Sequence, residues 1–518
     1  MKKKLLFSGI ILSFLTLGSA KAQNIQFEDA KFKKELLSAS PNNRIAKDAD
    51  GNSVAIDTNG DREISQAEAL NVYQLDIGGS KGKFDIGWKK DVVSIKGIEY
   101  FTNLTVLSCT LSKQKNLDLS KNINLQSLGL SCAEIKTLDL SKNVNLQSLY
   151  LSGTKIETMD LSKNINLQKL DLYATEIKTL DISKNTNLQE IVLREDSGLK
   201  ILDLSNNINL QKLSLYSTAI ETSDLSKNIN LQFLYLFNAE IKALDVSKNI
   251  NLQTLKLLQC DSIKILDLSK NIKLQELNLN NIKIEALDVS KNINLQFLYL
   301  SVEIETLDLS RNTNLQKLGL SSTKMKTLDL SKNISLQWLN LNNTQIKTLD
   351  LSRNINLQKL DLWNNGMETL DLSKNVNLQK LVLRRHYELE TLDLSKNINL
   401  QDLDLSENPE IQTLNISKNI NLVRLNLNNC NGLTSLYMKN EVKKNFSSFD
   451  YIFRNTNLNY ICCDEDEIDT VKKYMKNLAA EKSLVKGWRF SNLTVTSDCG
   501  TEGTKEIPQE KTASNPNP

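Results

Sequence analysis

The chain has 518 residues, with 64 lysines and arginines against 61 aspartates and glutamates, a formal charge of +3. Four of those lysines (Lys2, Lys3, Lys4 and Lys21) fall in the first 22 residues, and without them the balance is 3 − 4 = −1. A balance so near zero excludes a nucleic-acid binder built on a basic surplus, and no apolar run has the length that spans a bilayer.

The amino terminus combines Lys2-Lys3-Lys4, an apolar run from Leu5 to Leu17, and small residues at Ala20 and Ala22. This predicts a secretory signal peptide over residues 1–22, cleaved before Gln23. The mature chain is therefore expected outside the cytoplasm: extracellular, at the outer cell surface, or in the periplasm.

Residues 23–76 form a small helical region. Apolar residues at helical spacing predict a helix over Phe27–Ser40. Further on, Asp57 to Glu68 fits the twelve-residue calcium loop of an EF-hand. Asp57, Asn59 and Asp61 supply side-chain oxygens at loop positions 1, 3 and 5, and the Glu63 carbonyl takes position 7. Ser65 stands at position 9 and Glu68 is the closing bidentate carboxylate. One structural Ca2+ is expected here, bound weakly, with AEALNVY continuing as the exit helix. Arg62 occupies the sixth position, where such loops use glycine for a sharp turn.

Residues 77–116 make an amino-terminal cap and entry repeat. The string VSIKGIEYFTNLTVL (Val93–Leu107) resembles the entry repeat of internalin-like leucine-rich repeat proteins, and the Asn59-Gly60-Asp61 loop resembles the amino-terminal region of secreted Bacteroidetes-type members. The resemblance implies a leucine-rich repeat fold and a role in binding at host surfaces.

From 117 to 440 the chain repeats. The aspartates of an LDL triplet, counted with the Asn415 that replaces the last, recur fifteen times between Asp118 and Asn415 in steps of 20 to 22 residues. Such a period predicts a solenoid. Each unit holds two L-x-L triplets, as in Leu138/Leu140 and Leu149/Leu151. The expected fold is thus a mainly β repeat solenoid, a leucine-rich repeat array with short parallel strands on two walls, a small α-helical amino-terminal region and a capped carboxyl end. The LDLSKN asparagine is present in all fifteen copies, from Asn122 to Asn419, and is expected to form a buried ladder. The Asp of LDL and the Lys or Arg three residues on are expected to stack as neutralising acidic and basic columns on a solvated wall.

The other wall varies from coil to coil. Its outward positions carry Phe233, Tyr235, Phe297, Tyr299 and Trp338, with Tyr216, Phe237 and Trp363 at the strand edge. The LDLSKN wall has no aromatic residue, so sheet propensity alone does not account for them, and these eight residues are the candidate partner-binding surface.

Residues 441–499 are expected to cap the array. Asn455–Ile461 is a last strand, Asp469–Glu481 a covering helix and Trp488–Cys499 an extended return. Of seven cysteines, Cys109, Cys132, Cys260 and Cys430 read as small apolar filler. A disulfide is expected between Cys499 and one of Cys462 and Cys463, only one of which can reach because neighbours in an extended segment point to opposite sides; the pair taken is Cys463–Cys499. Residues 500–518 are polar and expected to be disordered.

Catalytic motifs are missing, and the single histidine, His386, reads as a solvated loop residue beside Arg384, Arg385 and Tyr387. The sequence therefore describes a non-enzymatic, exported recognition or adhesion protein. It is expected to be a monomer that binds a protein ligand, of host origin by the resemblance, through the variable wall. A carbohydrate- or matrix-binding envelope protein and a structural spacer are the alternatives.

Overall fold

The computed structural model describes residues 23–77, 92–441 and 453–500, apart from positions 112, 132, 133, 196, 197, 222, 482, 484 and 487. The expected signal peptide, Cys132 and the tail beyond 500 lie outside the described residues. The chain divides into two compact units, Met1–Lys155 and Ile156–Pro518.

In the first unit, helix α1 spans Ala30–Leu37 and buries Phe32 and Leu36. It is shorter than its periodic pattern because Asp29 caps it. One carboxylate oxygen of Asp29 accepts from the Lys31 and Phe32 N–H groups at 2.7 and 3.4 Å, and the other from Val93 and Ser94 at 2.6 and 3.2 Å. The same cap thereby ties the helix to the entry coil. Gly97, in that coil, has φ 107, and a Cβ there would lie 2.7 Å from the Phe27 ring. Both the backbone and the space require glycine.

Strand β1 (Ala46–Lys47) pairs antiparallel with β2 (Gln74–Ile77). Between them, α2 is a single turn, Gln66–Ala69, started by a Ser65–Glu68 capping box. The expected exit helix thus ends before Tyr73, where the chain extends to begin the sheet. Strands β3 (Val106–Thr110), β4 (Ser127–Ser131) and β5 (Ser148–Ser152) continue it in parallel.

The second unit continues with β6 (Lys169–Tyr173), β7 (Glu190–Arg194), β8 (Lys212–Tyr216), β9 (Phe233–Phe237), β10 (Thr254–Leu258) and β11 (Glu276–Asn280). After these come β12 (Phe297–Ser301), β13 (Lys317–Leu320), β14 (Trp338–Asn340), β15 (Lys359–Asp361), β16 (Lys380–Val382) and β17 (Asp402–Asp404). Each pairs in parallel with the next, and β17 pairs with β19 (Arg424–Asn426). A second sheet joins β18 (Thr413–Asn415), β20 (Ser435–Tyr437), β21 (Tyr460–Cys462) and β22 (Thr494–Thr496). Helix α3, Ile468–Ala480, places Val471, Met475 and Leu478 inward over this end. The fold is a β-solenoid of leucine-rich repeats.

Strict alternation drives each coil. Leu234 and Leu236 of β9 are fully buried between Phe233, Tyr235 and Phe237, which face outward. With Leu225, Leu231 and Ile241 the same coil buries five large aliphatic side chains, each worth roughly 1.5–3 kcal/mol in gross transfer free energy.

Both walls carry strands, but unequally. On the LDLSKN side the chain is extended without a ladder until β18. Each aspartate accepts from the N–H two residues on, as Asp139 does from Ser141 at 2.8 Å and Asp245 from Ser247 at 2.8 Å. This local turn engages a donor that a strand ladder would use.

The same bond explains the acidic column. The Ser226 N–H and hydroxyl hold the Asp224 carboxyl below its ordinary 3.8, and Lys227 contributes less. The serine, not the neighbouring lysine, is thus the main stabiliser, which corrects the expectation of simple charge pairing. Asp118, Asp160, Asp203, Asp267 and Asp329 follow the same rule. Because the folded values are depressed, this stability is present above about 3.8 and is lost as pH falls through the folded values beneath it. Thermal melts should drop across that acid window. Asp245→Asn should remove one coil's share while keeping its turn, because Asn415 already holds Ser417 N–H at 3.0 Å.

After many of the strands the chain turns through a left-handed residue, among them Ala174 (φ 49), Glu195 (φ 55), Ser217 (φ 49) and Gln259 (φ 55). Their N–H groups extend the ladder by bonding the next coil, Glu195 to the Tyr216 carbonyl at 2.8 Å for one. These four are not glycine, unlike Gly153 (φ 62) after β5, so residue type does not mark their turns.

The disulfide joins Cys462 to Cys499, with Cα atoms 5.4 Å apart, and not Cys463. Cys462 stands opposite Thr496 in the β21–β22 register, on the side from which Cys499 returns. Both cysteines are fully buried, and strand alternation separates them: Cys463, one residue on, falls on the side of the core residue Ile461.

Candidate functional site

The candidate surface is the outward face of the strands in the second unit. Register sets three outward positions per strand, so side chains from successive coils stand about 4.8 Å apart. Phe233 lies beside Lys212, Tyr235 beside Ser214, and Phe237 beside Tyr216. Across β12 to β14, Phe297 is aligned with Lys317 and Trp338, and Tyr299 with Gly319 and Asn340.

The eight expected aromatics are brought to one wall, in two clusters and one outlier. On β8 and β9, Tyr216 meets Tyr235 edge-on at 4.6 Å, and Phe233 meets Tyr235 at 6.5 Å. On β12 to β14, Trp338 reaches Tyr299 at 5.8 Å. It does so across Gly319, where a Cβ would sit 3.3 Å from both rings. Trp363 stands further along under Arg385, 5.6 Å from ring to guanidinium. Its indole N–H is buried and has no acceptor in the protein. Strands β10 and β11 separate the clusters with a Lys256–Glu276 ion pair at 2.8 Å. All eight rings are half-buried rather than open to solvent.

Cations that the sequence reading missed hold these rings. Arg194 lies 5.3 Å above Tyr216 while pairing with Asp171 at 3.4 Å. Lys212 lies 5.5 Å from Phe233 while pairing with Glu190 at 2.5 Å, and Lys317 lies 5.4 Å from Phe297. Each sits one coil from its ring, at or beside the matching strand position, so aligning the repeats would have found them. Burial raises the Asp171 carboxyl more than Arg194 lowers it, and burial also raises the Tyr216, Tyr235 and Tyr299 hydroxyls. The surface is thus a set of partly desolvated rings on a stiff sheet, fixed by cation–π contacts and ion pairs.

The loop from Asp57 to Glu68 is ordered by hydrogen bonds. Asp57 accepts from the Gly60 and Arg62 N–H groups at 2.7 and 3.0 Å, Asn59 from Asp61 at 2.8 Å, and Asp61 from Glu63 at 2.8 Å. Arg62 has φ 63, the left-handed turn that the sixth position of a calcium loop requires. Glu68 accepts from the N–H and hydroxyl of both Thr58 and Ser65. Glu63 pairs with Lys33 at 2.6 Å. Among the described residues, no three His, Cys, Asp or Glu side chains converge on a common metal position.

His386 is not a solvated residue. It is fully buried; Nδ1 accepts from the Met367 N–H at 3.1 Å, and Nε2–H donates to the Leu362 carbonyl at 2.5 Å. It occupies the coil position of Thr344, Asn365 and Asn408, all inward-facing. Cys109, Cys260 and Cys430 are buried as expected, and burial pushes the Cys109 and Cys430 thiols up to about 12. A locked imidazole and un-ionised thiols offer neither base nor nucleophile.

No protein-family model matches this chain, and no curated protein is similar to it in sequence. Solved structures are. The functional domain of InlJ from Listeria monocytogenes is 23% identical over 80% of this chain and 82% of that one, with a TM-score of 0.47. The leucine-rich repeat protein LIC12759 of Leptospira interrogans is 24% identical over 61% and 85%, with a TM-score of 0.49. The internalin InlF of Listeria monocytogenes is 21% identical over 77% and 97%, with a TM-score of 0.36. The likeness is one of fold. Among the described residues no helix is long and apolar enough to cross a membrane.

Proposed function

We propose that this chain is an exported, non-enzymatic recognition protein that binds a protein partner through the strand wall of its second unit. The observation that carries this reading is the pair of aromatic clusters, Tyr216–Phe233–Tyr235–Phe237 and Phe297–Tyr299–Trp338, held rigid by neighbouring cations. Rigid aromatic anchors flanked by arginine and lysine are what protein interfaces concentrate their binding energy in.

Replacing Phe233, Tyr235, Phe297 and Tyr299 by serine should abolish capture of the partner while the circular dichroism spectrum and melting temperature stay close to those of the unaltered chain. A pull-down from host-cell surface proteins, run beside a glycan array, reads the outcome. Undiminished protein capture by the fourfold variant removes the wall as the site. Capture of glycans alone through these rings favours the carbohydrate-binding alternative, and silence in both favours a spacer.

The same proposal gives the amino-terminal loop a structural Ca2+, held by Asp57, Asn59, Asp61, the Glu63 carbonyl, Ser65 and Glu68. The order of oxygen donors and the left-handed Arg62 support it; Glu68 would exchange its bonds to Thr58 and Ser65 for the ion. Calorimetric titration of the full chain with calcium should show one weak site that Glu68→Ala abolishes. Identical curves for the two proteins would remove it.

A further inference from the structure

Along the corner that leads into strands β13 to β17 and β19 runs a groove of about 920 Å³, and its lining is uncharged throughout. One ridge is a row of glutamines, Gln316, Gln337, Gln358, Gln379 and Gln401, one per coil. The facing ridge is Asn356, Asn377, Asn399 and Asn421, headed by Ser335. The sequence builds this directly. In each N-L-Q triplet the leucine is buried, as Leu357 and Leu378 are completely, so the amides on either side project outward.

The two ridges differ in what they offer. Each asparagine donates from Nδ2 to the preceding coil at 3.0 Å, to the carbonyls of Ile334, Ile355, Val376 and Ile398 in turn. That bond fixes the amide and leaves Oδ1 as an outward acceptor. The glutamine backbones are locked coil to coil, with Gln358 N–H on the Gln337 carbonyl and Gln379 N–H on the Gln358 carbonyl, both at 2.8 Å. Their side-chain amides make no hydrogen bond to the protein, so both donors and acceptor face the groove. At one end Val423 stands where the next glutamine would be, and Ser335 interrupts the asparagine ridge.

A ligand for this groove needs donors and acceptors along its whole length, no charge, and a repeat close to one coil, about 4.8 Å. We propose that the groove binds a linear neutral polysaccharide, with one sugar ring per coil. Hydroxyl groups supply both hydrogen-bonding roles at every ring. An extended peptide advances only about 3.3 Å per residue and loses register within a few coils, and a nucleic acid needs cations along its path. This site lies apart from Phe233 and Tyr235 and does not depend on the protein-binding reading.

Titration calorimetry of the full chain with neutral β-1,4-linked oligosaccharides of glucose and of N-acetylglucosamine, from disaccharides upward, tests this. Affinity should rise with length to five rings, one per glutamine rung, then level off, and added salt should leave it unchanged. Gln358→Ala combined with Gln379→Ala should weaken binding about tenfold or more by removing two rows of amide contacts. Phe233→Ser with Tyr235→Ser should leave it unaltered. The length dependence is measured on the unaltered chain and stands whether or not a variant folds. No binding by either series, binding indifferent to length, or binding undiminished in the glutamine variant would each overturn the proposal. So would a preference for acidic oligosaccharides or for extended peptides.

Discussion

Asn228→Ala is expected to cost the array about 2–5 kcal/mol, and Asn230→Ala, two residues on, less than about 1 kcal/mol. The side chains have the same chemistry and each bonds the preceding coil. Asn228 is completely buried, and its Nδ2 donates to the Leu204 carbonyl at 3.1 Å and to the Asn207 carbonyl at 2.9 Å. Alanine removes two buried hydrogen bonds, leaves each carbonyl with one backbone donor (Asn207 N–H on Leu204 and Leu210 N–H on Asn207, both at 3.0 Å), and opens a cavity in the core. Asn230 donates to the Ile208 carbonyl at 3.0 Å from an exposed position, where water can replace it. Neighbouring rungs share the carbonyls, since Asn249 donates to Asn228 as Asn228 does to Asn207, so damage should spread to the adjoining coils. Because repeat arrays need not unfold in one step, hydrogen exchange at Leu231 N–H, which bonds the Asn228 carbonyl at 3.0 Å, is the sharper readout beside urea unfolding. Equal losses at the two positions would show that the inner ladder is not what holds the coils together.

Much of this fold was legible because the repeat states each instruction fifteen times. Leucine alternation specified the strand wall, and an asparagine that never varies specified the inner ladder. What escaped was information carried by backbone conformation and by neighbouring coils. Aspartate was read as a charge, yet its main partner is a serine N–H two residues away, and that local bond accompanies the lack of a ladder on the LDLSKN wall. The turn residues at Glu195 and Gln259 adopt a left-handed backbone with no glycine to mark them. Cys462 rather than Cys463 bridges Cys499 because of the strand register with Thr496, which one extended segment read alone does not supply. On the candidate surface, the aromatics were visible as outward positions, but their grouping was not. Gly319 lets Trp338 reach Tyr299, and Arg194 and Lys212 brace rings one coil away. The amide groove escaped for the opposite reason: its glutamines and asparagines recur so regularly that they read as scaffold.

The single histidine makes a separate pH test possible. The unaltered chain should lose stability as pH falls below about 6.5, and His386→Asn should not. Burial lowers the His386 imidazole from its ordinary 6.5 by more than the bond to the Leu362 carbonyl raises it. The unfolded chain therefore takes up the proton first. The contribution is fully present above 6.5 and declines as pH drops from there toward the folded value. Protonation would also place a hydrogen on Nδ1, against the Met367 N–H it now accepts from. Asparagine is the replacement of choice because Asn365 and Asn408 fill the same position in the adjoining coils, and Asn408 bonds the His386 N–H at 2.8 Å. His386→Ala should cost about 3 kcal/mol from the cavity and the unsatisfied Met367 and Leu362 groups, with the same flattening of the pH profile. The aspartate column titrates near and below 3.8, so the two windows separate in one series of thermal melts. A profile of the unaltered chain that is flat from about pH 7 to 5 would mean that the coil opens to solvate the imidazolium. His386 would then belong to a yielding part of the array rather than to its core.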